Sequence, residues 1–214
     1  MCFKKIAFSI IIFFSATIPV CAQQKPFEDV ITFVAEYESK QKLIGSKSLK
    51  AYFGDTIIAY YKNGSYYQQY LNASGPEYMV HQWGDQFLYI KYKSNKKLKK
   101  MDVTVSDCAE LLGTQKKDAI THILGYACKS ISIKTSCNQN TFYYAEDLYS
   151  DPSKYSDHLL NYINVYTKET SSEYLKLVSE NDRYISTITA IKVERKTVDD
   201  TLFQLKPEDK ARSK

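Results

Sequence analysis

Runs in which aromatic and aliphatic residues alternate with polar ones recur along most of this chain. A period of two fits a strand with one buried face. The signal is sharpest where residues 56–61 and 65–71 flank Asn63-Gly64. Both residues of that pair tolerate the positive φ of a type I′ turn, which predicts a two-residue hairpin. Residues 77–83 and 86–93 flank Gly84-Asp85 in the same manner, and 100–105 follows after a polar turn, so the first half reads as a meander. Composition agrees: 19 Tyr against only 7 Gly and 5 Pro favours pleated surfaces and long elements with few tight corners.

The flanks of that meander carry the same period less cleanly. Ile31, Phe33, Ala35 and Tyr37 alternate with Thr32, Glu36 and Glu38, predicting a strand. Residues 107–112 read as a short helix with Ser106 as N-cap and Gly113 just past its end. Residues 128–134 form a strand with Ile131 and Ile133 on its buried face, and 141–144 pairs back across the 136–140 turn. From 145 to 166 the pattern breaks, because Pro152 forbids a regular central strand; 157–166 reads as a short helix or covering loop. Residues 173–179 and 183–195 close the chain as a long hairpin, with a charged, frayed tail after Leu205. About ten consecutive antiparallel strands with little helix must curl to bury their apolar faces. The expected fold is mainly β: a single curved antiparallel sheet forming an unclosed β-barrel with a few short helices.

The N-terminus bears on address. Lys4 and Lys5 precede an apolar stretch from Ile6 to Ile18, and Val20-Cys21-Ala22 stands before Gln23. The stretch is shorter than the roughly 20 residues that span a bilayer, so it reads as a signal peptide over 1–22. The remainder, 23–214, reads as one domain that is exported, in the periplasm or associated with the outer envelope and not transmembrane. Losing Lys4 and Lys5 lowers the formal net charge of +5 by two, too mild a positive balance to imply a nucleic-acid partner.

A resemblance adds to this reading. Ile123-Leu124-Gly125-Tyr126-Ala127-Cys128-Lys129-Ser130-Ile131-Ser132-Ile133 resembles the I-x-G-Y-x-C-K-x-Y-x-V signature of DUF4412-like envelope proteins. Val193-Glu194-Arg195-Lys196 followed by Asp199-Asp200-Thr201-Leu202-Phe203-Gln204-Leu205 resembles that group's closing pattern. Such proteins are similar to the LolA/LolB-like superfamily. The resemblance implies an unclosed, LolA-like barrel whose short helices plug an apolar concave face, and carriage of a lipid or lipoprotein acyl chain.

Energetics independently favour a trough. A half-closed barrel leaves a concave face, and an acyl chain gains about 0.8 kcal/mol per buried methylene. Parity nominates Ile31, Phe33, Leu88, Ile90, Ile131, Ile133, Leu175 and Leu177 as the ligand-facing set; the alternative is that they form a packed core. Lys91, Lys93, Lys96, Lys97, Lys99 and Lys100 form the one conspicuous charge run, a cationic tip for an anionic membrane surface or outer-membrane complex, or else a solvated turn that blocks edge pairing.

Past the leader, Cys108, Cys128 and Cys137 remain, so at most one intrachain disulfide forms. An extended strand at about 3.3 Å per residue separates Cys128 from Cys137 too widely for a bridge. Cys108 is left with either partner. Cys128 is preferred, because 106–112 can fold back onto the start of that strand.

Catalysis finds little support. His81, His122 and His158 lack metal-ligand spacing, and no nucleophile elbow, Walker loop or dinucleotide fingerprint occurs. Glu146, Asp147, Asp151 and Asp157 read as an exposed acidic loop. The expectation is a protein with no enzymatic activity, cofactor or metal that binds a hydrophobic ligand. The rival is a structural or interaction module of the outer envelope with a filled core.

Overall fold

The computed structural model describes residues 26–95, 97–205 and 209. The signal-peptide expectation, residues 1–22, lies outside them. Eleven strands form one antiparallel sheet: β1 (Glu28–Ser39), β2 (Thr56–Lys62), β3 (Ser65–Leu71), β4 (Pro76–His81), β5 (Phe87–Tyr92), β6 (Lys99–Asp102), β7 (Leu111–Ile123), β8 (Tyr126–Thr135), β9 (Asn138–Tyr149), β10 (Ser172–Asn181) and β11 (Tyr184–Arg195). Their order is β6-β5-β4-β3-β2-β1-β11-β10-β9-β8-β7. Consecutive strands are neighbours everywhere except between β6 and β7. First and last strands pair at the centre, and the sheet is open only where the chain crosses through residues 103–110. The fold is therefore the unclosed, mainly β architecture expected from the alternation.

At the Asn63-Gly64 corner both residues hold positive φ, 49° and 82°, the signature of a type I′ turn. Gly64 is also required by its neighbour: a Cβ there would stand 2.5 Å from the Cβ of Lys154. Gly64→Ala is expected to destabilise the protein by about 1–3 kcal/mol through combined backbone strain and this clash, read as a lower urea midpoint.

Helix α1 (Ser46–Phe53) lies in the β1–β2 connection and buries only Leu49. The second helix, α2 (Ile163–Thr170), follows two 3₁₀ turns, Pro152–Tyr155 and Leu160–Tyr162. Asp151 caps the first of these through Ser153 N (3.0 Å). Asn161 and Tyr162 both adopt left-handed φ, 52° and 54°, which bends the chain into α2. This helical segment is latched to the β6–β7 crossing: Leu159 N donates to Val103 O (2.6 Å), Asn161 N to Asp107 Oδ1 (3.0 Å) and Tyr162 OH to Cys108 O (3.3 Å). It acts as a strap over the concave face beside the open seam.

Apolar residues occupy both faces of the sheet. The concave side buries Ile31, Phe33, Ile131, Ile133, Phe142, Leu148, Tyr166 and Leu175. The convex side of β1–β5 buries Val30, Tyr78, Val80 and Tyr89 beneath Val198 and Phe203 of the C-terminal segment. That segment reaches further than its charge implies. Asp209 is 3% exposed, accepts a hydrogen bond from Tyr78 and pairs with Lys91 (2.9 Å).

Two sequence expectations fail at the seam. No helix forms over 107–112. The Ser106 hydroxyl turns locally onto Cys108, donating to its carbonyl (2.7 Å) and accepting from its N–H (3.2 Å), a side-chain bond that competes with helix. Strand β7 then begins at Leu111. The preferred Cys108–Cys128 disulfide is also incorrect: Cys108 pairs with Cys137, with Cα atoms 5.7 Å apart, and Cys128 is a free, buried thiol. The cause is strand direction. Leu111 of β7 pairs with Thr135 at the end of β8, which brings residues before 111 against residues after 135. Ser136 N donates to Glu110 O (2.9 Å), and Cys128 sits at the far end of the same strand.

Candidate functional site

Between the concave face and the strap lies a cavity of about 390 Å³. That is within the usual range for small-molecule sites, and at about 30 Å³ per water-sized group it holds on the order of a dozen such groups. Its aliphatic lining comes from Ile57 of β2, Met79 of β4, Leu88 and Ile90 of β5, Met101 of β6, Leu177 of β10 and Ile188 of β11. Polar residues share the lining: Tyr61, Tyr66, Tyr155, His158, Tyr166, Glu173 and Tyr174, with Asn140 further along, opposite Ser179, which is six residues along β10 from Glu173.

Glu173 is the unusual member. It is 6% exposed, its Oε1 accepts from both Ser150 Oγ (2.8 Å) and Tyr155 OH (3.1 Å), and among the described residues no lysine or arginine forms an ion pair with it. Burial raises its carboxyl to about 7 against the partial opposition of those two hydrogen bonds, so it titrates near neutrality. Burial is also the chief cause of raised hydroxyl pKa values at Tyr61, Tyr66, Tyr155, Tyr166 and Tyr174, and in each the charge of Glu173 adds to it. Five tyrosines thus lie within electrostatic reach of one carboxyl, and Tyr155 touches it.

His158 comes from the strap. Its Nε2 hydrogen-bonds Tyr66 OH at 2.8 Å, and its ring stands edge-on to His81 with centroids 5.2 Å apart. Burial first, then the His81 charge, lowers its pKa to about 4, so it is neutral at physiological pH. Asn140 Oδ1, a buried polar atom on the cavity lining, has no hydrogen-bond partner among the described residues, whereas the Tyr61 hydroxyl interacts with Tyr174, the Tyr166 hydroxyl with Thr170 and the His158 ring with the backbone at Leu160.

Local structure explains how Tyr174 joins Glu173 there. Register shifts flank Tyr174 in the β9–β10 ladder, and the successive residues Glu173 and Tyr174 both line the cavity. Strict alternation would put one of them on the opposite face; an irregular register re-aims a side chain. Parity with Leu175 and Leu177 already places Glu173 inward, so it is Tyr174 that the irregular register turns onto the cavity side.

Of the residues nominated from sequence, Leu88, Ile90 and Leu177 line the cavity. Ile31, Phe33, Ile131, Ile133 and Leu175 are fully buried in the concave-face core that supports it. Within the lysine run, Lys93, Lys97, Lys99 and Lys100 are exposed. Lys91 is engaged by Asp209, Lys100 lies over the Phe87 ring at 4.6 Å, and Lys96 lies outside the described residues. The histidines separate: His81 and His158 pack together, whereas His122 is exposed on β7. Among the acidic residues of the irregular segment, Glu146 pairs with Lys129 (2.7 Å) and Asp151 caps its turn. Among the described residues no cluster of three or more potential metal ligands occurs, and no helix is long and apolar enough to cross a membrane.

No family model matches the chain, and no curated protein matches it. The DUF4412-like resemblance therefore rests on its two motifs alone. Several solved structures are similar at low identity. PNGF-II aligns over 83% of this chain and 30% of its own, with 17% identity and a TM-score of 0.46. Lipoprotein LppX of Mycobacterium tuberculosis aligns over 81% and 90%, with 9% identity and a TM-score of 0.35. A LolA superfamily protein of Nitrosomonas europaea aligns over 84% and 90%, with 5% identity and a TM-score of 0.36. The chain spans about a third of the PNGF-II length. The chain forms an open antiparallel sheet that curves around a strapped cavity with a mixed aliphatic and polar lining.

Proposed function

We propose that this chain is an exported, non-catalytic, LolA-like carrier that holds a hydrophobic ligand, a lipid or lipoprotein acyl chain, in the concave cavity. The observation that carries the reading is the 390 Å³ void with its aliphatic lining, since a filled core is what the rival structural module requires. Burying about ten methylenes along Leu88, Ile90, Leu177 and Ile188 yields about 8 kcal/mol before the entropic costs of association. The strap, held by three hydrogen bonds to the β6–β7 crossing, is the segment that admits and retains such a ligand.

His158 is a poor candidate for acid–base chemistry in the cavity. His158, held to about 4 and hydrogen-bonded to Tyr66, is a weak base at neutral pH, whereas a general base works best with a pKa near the operating pH. Native mass spectrometry and lipid extraction on protein purified from its own envelope test the carrier reading. The expected result is one ligand per chain, released on denaturation. An empty protein that takes up no added amphiphile or hydrocarbon overturns it.

A further inference from the structure

The carrier reading leaves the ligand's head group open, and the polar lining of the cavity constrains it. This step rests on that reading. The described residues lining the cavity include one carboxyl, neutral histidine and several tyrosines, but neither lysine nor arginine. A fatty-acid carboxylate or a phosphate seated there meets no cation and faces Glu173 across a medium of low dielectric, where like charges repel strongly. A plain hydrocarbon fares little better. It offers nothing to the Glu173 carboxyl, which is buried on the cavity lining with no cation beside it among the described residues, and a buried polar group left unmatched is costly.

We propose that the occupant is an amphiphile whose head group is a protonated amine, seated against Glu173 among the tyrosines, with its chain along the aliphatic lining. The chemistry matches on three counts. Glu173 is a buried carboxyl lacking a cation partner among the described side chains, and an ammonium supplies that charge where water does not screen it. An ammonium carries three donors and no acceptor, which suits a site offering a carboxylate and hydroxyl oxygens. Aromatic rings around a cation add attraction from their π faces, the principle by which aromatic cages take ammonium ligands. Tyr155 and Ser150 fix the carboxyl through Oε1, so the seat is already formed when the ligand arrives.

Chain-matched probes test this on the whole protein by titration calorimetry at neutral pH below micelle formation: dodecylamine, 1-dodecanol and dodecanoate. The amine is expected to bind about tenfold or more tightly than the alcohol, and the carboxylate more weakly than the alcohol. Glu173→Gln keeps an acceptor for Ser150 and Tyr155 and is expected to erase the amine's advantage over the alcohol. Amine and alcohol of equal affinity, a preference for dodecanoate, or an amine preference that survives in Glu173→Gln overturns the inference and leaves the carrier intact. Failure of all three probes to bind overturns both. The ranking on the unsubstituted protein decides the head group's charge even if the variant does not fold.

Discussion

Glu173→Gln is expected to make the protein more stable than its parent at pH 8 by about 3 kcal/mol, and to leave it equally stable near pH 4. The sign follows from the raised carboxyl. Its ordinary value is 4.5 and its folded value about 7, so the folded state holds the proton more tightly than the unfolded chain does. The stabilisation this represents is fully present below 4.5 and is lost as pH rises through 7. A shift of this size corresponds to about 3 kcal/mol, at about 1.4 kcal/mol per pH unit. Gln resembles the protonated acid, keeps the acceptor that Ser150 and Tyr155 use, and cannot ionise. Urea unfolding of both proteins between pH 4 and 8 measures the difference. Equal stability at pH 8 removes the claim that Glu173 is a buried carboxyl lacking a compensating cation.

His158 works in the opposite direction on the other side of the cavity. Its folded value of about 4 lies below the ordinary 6.5, so its contribution is present above 6.5 and is lost as pH falls through 4. Between roughly 4.5 and 6.5 the two groups offset each other, and the parent's stability should be nearly flat there. Glu173→Gln exposes the histidine's slope, with stability declining as the solution is acidified. His158→Gln exposes the other, with stability climbing as pH falls from 7 to 4.5. Opposite slopes from two residues of one cavity are a signature that surface carboxylates do not produce.

How much of this was legible in the sequence depended on whether a residue's environment is local. The Asn63-Gly64 hairpin was legible because the turn's φ values are set by the two residues that form it. Strand β7 was not: of its thirteen residues only Ile123 is buried, so it shows no apolar alternation, and its closing turn is Leu124-Gly125, with a leucine in the left-handed region that no propensity favours. Missing β7 also removed the clue to the cysteine pairing. Helix α1 escaped notice because it buries a single side chain, Leu49. The aliphatic lining was partly readable, since parity on regular strands such as β5 places Leu88 and Ile90 correctly relative to one another. Tyr155 and His158 were not, because a strap from a distant segment brings them to the cavity without a local signature, and Glu173, though it shares parity with Leu175 and Leu177, is a carboxyl that no apolar pattern selects.

The seam supplies the second large effect. Removing the Cys108–Cys137 bridge with the paired substitutions Cys108→Ser and Cys137→Ser is expected to cost about 3–4 kcal/mol, the loop-closure value for a separation of 29 residues. Cys128→Ala, which removes one buried sulfur without opening a loop, is expected to cost about 1 kcal/mol. The bridge also holds what the strap is tied to. Residues 103–108 supply Val103 O, Asp107 Oδ1 and Cys108 O, the three acceptors that Leu159, Asn161 and Tyr162 use. Unbridged, that crossing gains conformational freedom, so amide exchange over residues 158–162 should accelerate before the rest of the sheet responds. Hydrogen exchange resolved by peptide, on the bridged protein and the double variant, separates this local release from general loss of stability. If exchange in the strap and in β1, which sits at the centre of the sheet, rises by the same factor, the bridge stabilises the fold as a whole and does not anchor the strap. A strap that loosens first makes the disulfide the element that governs entry to the cavity.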